Sequence, residues 1–169
     1  MRWQGALCSW TPVGVTPYLR ENALPVLQYM LVEGQQSDAQ IAELLLASSR
    51  LFAEVLESPI DRVRVSVQLC QPQHIAIGGK LVTDGVPSTP YFEFVVLEGR
   101  PMAHRHRLLE GFTDLLVATL GADRSRIRGS CWAVDPAQWS IGGTLASVLR
   151  AKEISARAAA SAAAGGPAA

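Results

Sequence analysis

The sequence predicts an α/β fold of two tandem β-α-β units, each closed by a short hairpin, and three observations carry that prediction. The chain repeats itself: Pro25-Val-Leu-Gln-Tyr-Met-Leu-Val-Glu-Gly34 returns as Pro90-Tyr-Phe-Glu-Phe-Val-Val-Leu-Glu-Gly99, with 90 − 25 and 98 − 33 both giving an offset of 65. Further on, Val63-Arg64 returns as Ile127-Arg128, and Ile77-Gly78-Gly79 as Ile141-Gly142-Gly143, each at an offset of 64, so one residue is gained or lost at the Gln35-Gln36 corner. Each copy opens on a run of strand-forming residues and continues with apolar residues at helical spacing. A unit of about 55 residues buries too little surface to be stable alone, so two copies packed together are the natural minimum.

Residues 1–24 carry Gly5, Pro12, Gly14 and Pro17 among Trp3, Trp10 and Tyr18, the composition of an irregular N-terminal extension lying on the body of the protein. The first unit is expected over 25–82. Its opening strand covers 26–32; Ser37-Asp38-Ala39-Gln40 then spells a capping box, and Ile41, Leu44, Leu45, Phe52, Val55 and Leu56 mark a helix that Ser58-Pro59 stops. A second strand covers 63–69, and Ile75-Ala76-Ile77-Gly78-Gly79 follows as a tight hairpin or a close backbone approach. After a linker at 83–89 the second unit is expected over 90–157. Pro101 suits the first turn of its helix, Leu108, Leu109, Phe112, Leu115 and Leu116 form the inner stripe, and Gly121 caps it. A strand at 127–134, a second hairpin at 139–144 and a helix from Leu145 to about Arg157 complete it, and helical crossovers of this length join parallel strands. Residues 158–169, rich in Ala, Gly and Ser, are expected to be a disordered tail.

Fifteen basic and fifteen acidic residues leave the formal net charge at zero, which provides no overall field for nucleic acid or an anionic membrane. Partners must be recognised through a local site. Cys8, Cys70 and Cys131 lack metal-ligand spacing, and two of them fall in or at the end of expected strands, where reduced, buried thiols are the natural reading. There is no His-x-x-x-His pair, no pair of closely spaced cysteines and no phosphate-binding glycine loop, so neither a metal nor a cofactor is expected. No apolar run reaches the roughly 18 residues of a membrane span, and Met1-Arg2-Trp3-Gln4 opens no secretory segment, so the expected location is the cytoplasm.

The order of elements also suits a ferredoxin-like or ACT-type module, but such a module needs no Ile-Gly-Gly element after each unit. Leu97-Glu98-Gly99-Arg100, then Arg128, then Trp139-Ser-Ile-Gly-Gly-Thr-Leu-Ala-Ser147 resembles the 4-oxalocrotonate tautomerase family, and from Pro90 to Ser147 the likeness needs no gap. The first unit is similar through Val32-Glu-Gly34, Ser37-Asp38, Ser58-Pro59, Val63-Arg64-Val65 and Ile77-Gly78-Gly79. The resemblance implies a tautomerase fold: a four-stranded sheet with two helices on one face, in a homotrimer whose short hairpins reach onto neighbouring subunits. It also implies a chemistry. In that family an amino-terminal proline moves protons on a 2-oxo or enol acid, arginines hold the carboxylate and polarise the carbonyl, and an aromatic keeps the pocket dry. Carried onto this chain, the proline positions are Pro25 and Pro90, the arginine after Glu-Gly is Arg100, the strand arginine is Arg128 with Arg64 as its counterpart, and the aromatic is Trp139. The first unit departs from the pattern, with Gln35 or Gln36 where Arg100 stands and Ile75 in place of the aromatic.

Neither proline begins the chain, and a proline nitrogen inside a chain is a tertiary amide that can neither accept a proton near neutral pH nor form an imine. Pro25 and Pro90 are therefore expected to be strand-opening residues, degenerate relics of the catalyst. Processing before Pro25 would restore the amine, but nothing in Asn22-Ala23-Leu24 marks a cleavage signal. Arg100 and Arg128 remain as catalytic candidates, since a guanidinium fork matches a carboxylate, with Arg64, Trp139 and Tyr91 as substrate-binding residues. The competing reading makes the arginines surface or intersubunit ion pairs and Trp139 an interface anchor. Asp135, Glu98, Tyr91 and His106 are candidate proton carriers that spacing does not rank, whereas His104 and His106, amid Arg105 and Arg107, read as a solvated basic face. The expected function is isomerase-like proton transfer on a small 2-oxo or enol carboxylate without an amino-terminal proline. The alternative is a catalytically inactive tautomerase-fold protein that binds a small carboxylate or a protein partner.

Overall fold

The structure, a computed structural model, describes residues 25–164; the expected N-terminal extension and Cys8 lie outside them. The first unit comprises β1 (Val26–Val32), α1 (Asp38–Val55), β2 (Arg64–Cys70) and a hairpin of β3 (Ala76–Ile77) and β4 (Lys80–Leu81). The second comprises β5 (Tyr91–Leu97), α2 (Met102–Leu120), β6 (Arg128–Val134) and the hairpin of β7 (Ser140–Ile141) and β8 (Thr144–Leu145), followed by α3 (Ala146–Leu149) and α4 (Ala151–Ala164). The four long strands form one sheet in the order β2-β1-β5-β6. Pairing is parallel within each unit and antiparallel between β1 and β5 at the centre. Because Val26 pairs with Val95, the Pro25 end of β1 lies beside the exit of β5, where Arg100 follows.

Local chemistry accounts for these elements. Ser37 caps α1, its Oγ accepting from the Gln40 N–H at 3.3 Å while the Gln40 side chain accepts from the Ser37 N–H at 3.0 Å. Gly78 and Gly79 take φ of +59° and +78°, the backbone that a two-residue hairpin demands. One face of the sheet buries Leu27, Tyr29 and Leu31 of β1 and Phe92, Phe94 and Val96 of β5. Against them α1 presents Leu44, Ser48 and Phe52, and α2 presents Leu108, Phe112 and Leu116, in both cases at i, i+4, i+8. Phe112 lies edge-on to Phe52 and Phe94, with ring centroids 5.0 and 5.4 Å away.

The two halves fill equivalent space differently. Tyr29 and Ser48 share a buried 2.7 Å hydrogen bond where the second unit has Phe94 and Phe112, and burial pushes the Tyr29 hydroxyl pKa up, with the Ser48 bond only partly opposing it. Opposite Phe92 stands Gly129, where a Cβ would lie 2.2 Å from the Phe92 ring, whereas the first unit pairs Leu27 with Val65. Side-chain volume that the first unit divides between neighbouring strands is concentrated on one strand in the second.

The opposite sheet face carries Met30 and Trp132 more than a third exposed, with a polar network in which the Tyr91 hydroxyl and Trp132 Nε1 both donate to Glu93. No helix among the described residues is long and apolar enough to cross a membrane. One expectation is corrected. Of the tail expected over 158–169, residues 158–164 continue α4, because an alanine-rich run has the highest helix propensity as well as the lowest complexity, and residues 165–169 lie outside the described residues. The helix expected from Leu145 also breaks at Arg150 into α3 and α4.

Candidate functional site

Pro25 is fully buried at the mouth of β1, its carbonyl accepting from the Arg64 N–H at 2.9 Å; Pro90 repeats this with the Arg128 N–H at 3.1 Å. Four separate stretches converge on Pro25. Leu56 and Ser58 come from the exit of α1, Arg62 ends a short turn at Ile60–Arg62, Arg100 follows the Glu98-Gly99 corner, and Arg150, Glu153 and Arg157 come from the start of α4.

This convergence concentrates positive charge. Arg100 donates from Nη1 to the Leu56 carbonyl at 2.8 Å, at the negative end of α1. Burial, and then the nearby charge of Arg157, push its pKa down to about 10, with Glu153 and Glu57 opposing, so it stays a cation at neutral pH but an under-compensated one. Glu153 Oε1 accepts from Arg62 Nη1 at 3.2 Å and from Arg150 Nη1 at 2.9 Å. Burial raises the Glu153 carboxyl pKa, but the Arg150 hydrogen bond and the charges of Arg150 and Arg62 together hold it below the usual carboxylate range. Arg62 Nε, Arg157 Nη1 and His104 Nδ1 are buried with no hydrogen-bond partner among the described residues. The two guanidinium nitrogens are costly unless an acceptor joins them, and the imidazole nitrogen is costly unless it finds a partner of either kind.

The space is divided in two. An inner compartment of about 20 Å³, walled by Pro25, Val96, Leu97 and the arginines, holds roughly one water molecule. Outside it lies a cavity of about 570 Å³ that shares Arg62, Arg100, Glu153 and Arg157 and adds Glu57, Pro101 and His104. Its size suits a small organic ligand, and its unpaired donors suit an anion. Pro25 lines only the inner compartment. Among the described residues no group of three or more His, Cys, Asp or Glu is arranged to hold a metal.

The counterpart corner at Pro90 has a cavity of about 470 Å³ lined by Gln35, Gln36, Ser88, Leu120, Asp123 and Arg126. Its one lining cation, Arg126, pairs with Asp123 at 3.5 Å, leaving the corner formally neutral.

Of the expected site residues, only Arg100 and Pro25 enter the charged corner. Arg128 pairs with Tyr91 at the start of β5 whereas Arg100 follows its end, so a strand of seven residues, roughly 20 Å at 3.3 Å per residue, separates the two within one chain. The arginine sharing the Arg100 end of the sheet is Arg64. Both strand arginines are exposed and donate from Nη1 to local carbonyls, Arg64 to Asp61 and Val63, Arg128 to Ser125 and Ile127, and neither lines a cavity described above. Tyr91 belongs to the outer sheet face, bonded to Glu93 and Ser130. Trp139 packs with Leu97, Ile141 and Ala146, its Nε1 buried and without a partner among the described residues. Sequence reasoning missed Arg62, Arg150, Glu153 and Arg157, although the last three stand at i, i+3 and i+7 on one helix face. His104 is a second correction: it lines the outer cavity instead of a solvated basic face, because α2 begins at Met102 and turns its first turn toward Arg100.

No protein-family model matches the chain, and no curated protein does. Solved structures do. A native fused 4-OT is 26% identical over 73% of this chain and 98% of its own, with a TM-score of 0.69. A fused 4-OT solved as an asymmetric trimer is 21% identical with the same coverages and a TM-score of 0.67. A protein solved after inactivation by 2-oxo-3-pentynoate is 24% identical, again over 73% and 98%, with a TM-score of 0.63. The chain has the tautomerase-superfamily fold in its fused, two-unit form.

Proposed function

We propose that the cavity at the Pro25 corner binds a small 2-oxo or enol carboxylate and that the protein moves a proton on it without an amino-terminal proline. The carrying observation is the convergence of Arg62, Arg100 and Arg157 on one cavity, with Arg62 Nε and Arg157 Nη1 unpartnered among the described residues and Glu153 bonded to Arg62 and Arg150. A ligand carboxylate would supply the missing acceptors, and each charge-assisted hydrogen bond is worth about 1.5–3 kcal/mol. A 2-oxo acid presents a second acceptor, its carbonyl oxygen, and a guanidinium on that oxygen stabilises the charge that develops when the neighbouring C–H loses its proton. Inactivation of one structural neighbour by 2-oxo-3-pentynoate supports this substrate class. Glu153 holds Arg62 and Arg150 in place until the ligand arrives.

The same reading makes the protein a homotrimer, as fused 4-OT neighbours are, with the exposed sheet face of Met30 and Trp132 turned toward its partners. Arg64 and Arg128 on the edge strands then belong to the boundaries between chains, where the expected clamp with Arg100 would be completed. A cytoplasmic location accords with the free thiols of Cys70 and Cys131.

Calorimetric titration with phenylpyruvate, paired with ketonisation of its enol, tests the proposal. Wild type should bind one ligand per chain and accelerate ketonisation, and Arg100→Ala should weaken binding about tenfold or more and slow ketonisation with it. Binding without turnover favours the non-catalytic alternative, and absence of binding removes the reading. An intact mass beginning at Pro25 would put a basic ring nitrogen inside the inner compartment and transfer the chemistry there.

A further inference from the structure

Proton transfer needs a group that accepts and returns a proton, and the described wall of the outer cavity offers few. Glu153 is held as a carboxylate by Arg62 and Arg150, the guanidiniums stay charged, and the Pro25 nitrogen is an amide in the other compartment. Glu57 stands on the exposed rim, its backbone in the left-handed region at φ +48°. His104, in the first turn of α2, lines the cavity with Arg100 and Arg157, and its backbone N–H is anchored to the Pro101 carbonyl at 3.1 Å. Its Nδ1 has no hydrogen-bond partner among the described residues, so none of them fixes which ring nitrogen carries the proton.

We propose that His104 is the catalytic proton carrier of this cavity, an inference that rests on the site assigned under Proposed function. The carboxylate of a 2-oxo acid lies on the guanidiniums, which leaves its C3 toward the imidazole. The neutral ring nitrogen takes a proton from C3. The C3–H bond breaks, its electron pair becomes the C2=C3 double bond, and the carbonyl π pair moves onto the oxygen, giving an enolate beside a guanidinium. The imidazolium returns its proton to the oxygen, giving the enol, or to C3, restoring the ketone, and the neutral ring is regenerated. No oxidant, reductant or cofactor enters the balance, and imidazole is the side chain whose protonation ordinarily changes near neutral pH.

The test follows loss of the C3 proton signal of 2-oxobutanoate in deuterated buffer by nuclear magnetic resonance, with calorimetric binding measured on the same full-length samples. Wild type should catalyse exchange. His104→Gln should slow it by about a hundredfold or more while its dissociation constant stays within about threefold of wild type, the range expected for loss of a general base. His104→Asn should behave likewise, and His74→Gln, at an exposed position that lines none of the cavities described above, should exchange as wild type does. Retained binding shows that each variant is folded. Undiminished exchange in His104→Gln overturns the inference, as does loss of exchange in Glu57→Gln alone, or a wild type that binds without exchanging. A wild type that fails to bind removes the site itself, which the calorimetry reports separately.

Discussion

The Pro25 and Pro90 corners are made by one repeated unit and differ in charge, and the difference comes from three local changes. Arg100 stands at the corner whose counterpart carries Gln35 and Gln36. Arg126 is neutralised by Asp123, whereas the residue at the matching position before Arg62 is Pro59, which has no charge to offer. The third change is topological: chain following the second unit returns as α4 across the first unit's corner, bringing Arg150, Glu153 and Arg157 to Pro25. Duplication thus keeps two scaffolds and lets one of them collect the cations.

The largest expected effect is on binding. Arg100→Met should weaken a 2-oxo acid about tenfold to a hundredfold, the loss of one charge-assisted hydrogen bond or slightly more. Its melting temperature should hold or rise, because a partly buried cation repelled by Arg157 gives way to an apolar side chain. The comparison extends to the core, where Ser48→Ala leaves the Tyr29 hydroxyl buried without its partner and should cost about 1–3 kcal/mol in denaturant unfolding, provided the double variant with Tyr29→Phe recovers most of it. If the double variant stays as unstable as the single one, cavity formation and not the orphaned hydroxyl is the cause.

A smaller effect sharpens the role of α4. Glu153→Gln should tighten carboxylate binding several-fold by freeing Arg62 for the ligand, and a weakened affinity would mean that Glu153 is needed to position the arginines even when the ligand is bound. The smallest effect is on pH. The Glu153 carboxyl lies below the ordinary glutamate value of about 4.3, so the stability it lends to α4 is present above that value and is lost as pH falls through its folded pKa. With the side chain half exposed, screening keeps this under about 1 kcal/mol. Protection factors of the α4 amides, which correct for the fall of the intrinsic rate with pH, should decrease in acid, and Glu153→Gln should abolish the difference.

The repeat, the two β-α-β units and the Ser37 capping box were legible in the sequence because each is a local pattern with a fixed period. Ala158–Ala164 was not, since composition alone treats a helix of alanines and a flexible tail alike. The charged corner was only partly legible. Arg100 stands in a motif, but Arg62, Arg150 and Arg157 join it from stretches tens of residues away, and only strand order and the return of α4 bring them together. Arg128 carried the motif as well as Arg100 did, yet parallel pairing with Tyr91 puts it at the far end of β5. His104 was hidden by its basic neighbours, which describe the surface of a helix and not the turn that opens it.

The central claim, that the Pro25 corner and not the Pro90 corner receives the anion, is tested most directly by titrating phenylpyruvate into wild type, Arg100→Ala and Arg126→Ala in one calorimeter. The account predicts one site per chain in wild type, an affinity lowered about tenfold or more in Arg100→Ala and an unchanged isotherm in Arg126→Ala. Binding that is undiminished in Arg100→Ala and disappears in Arg126→Ala would contradict it.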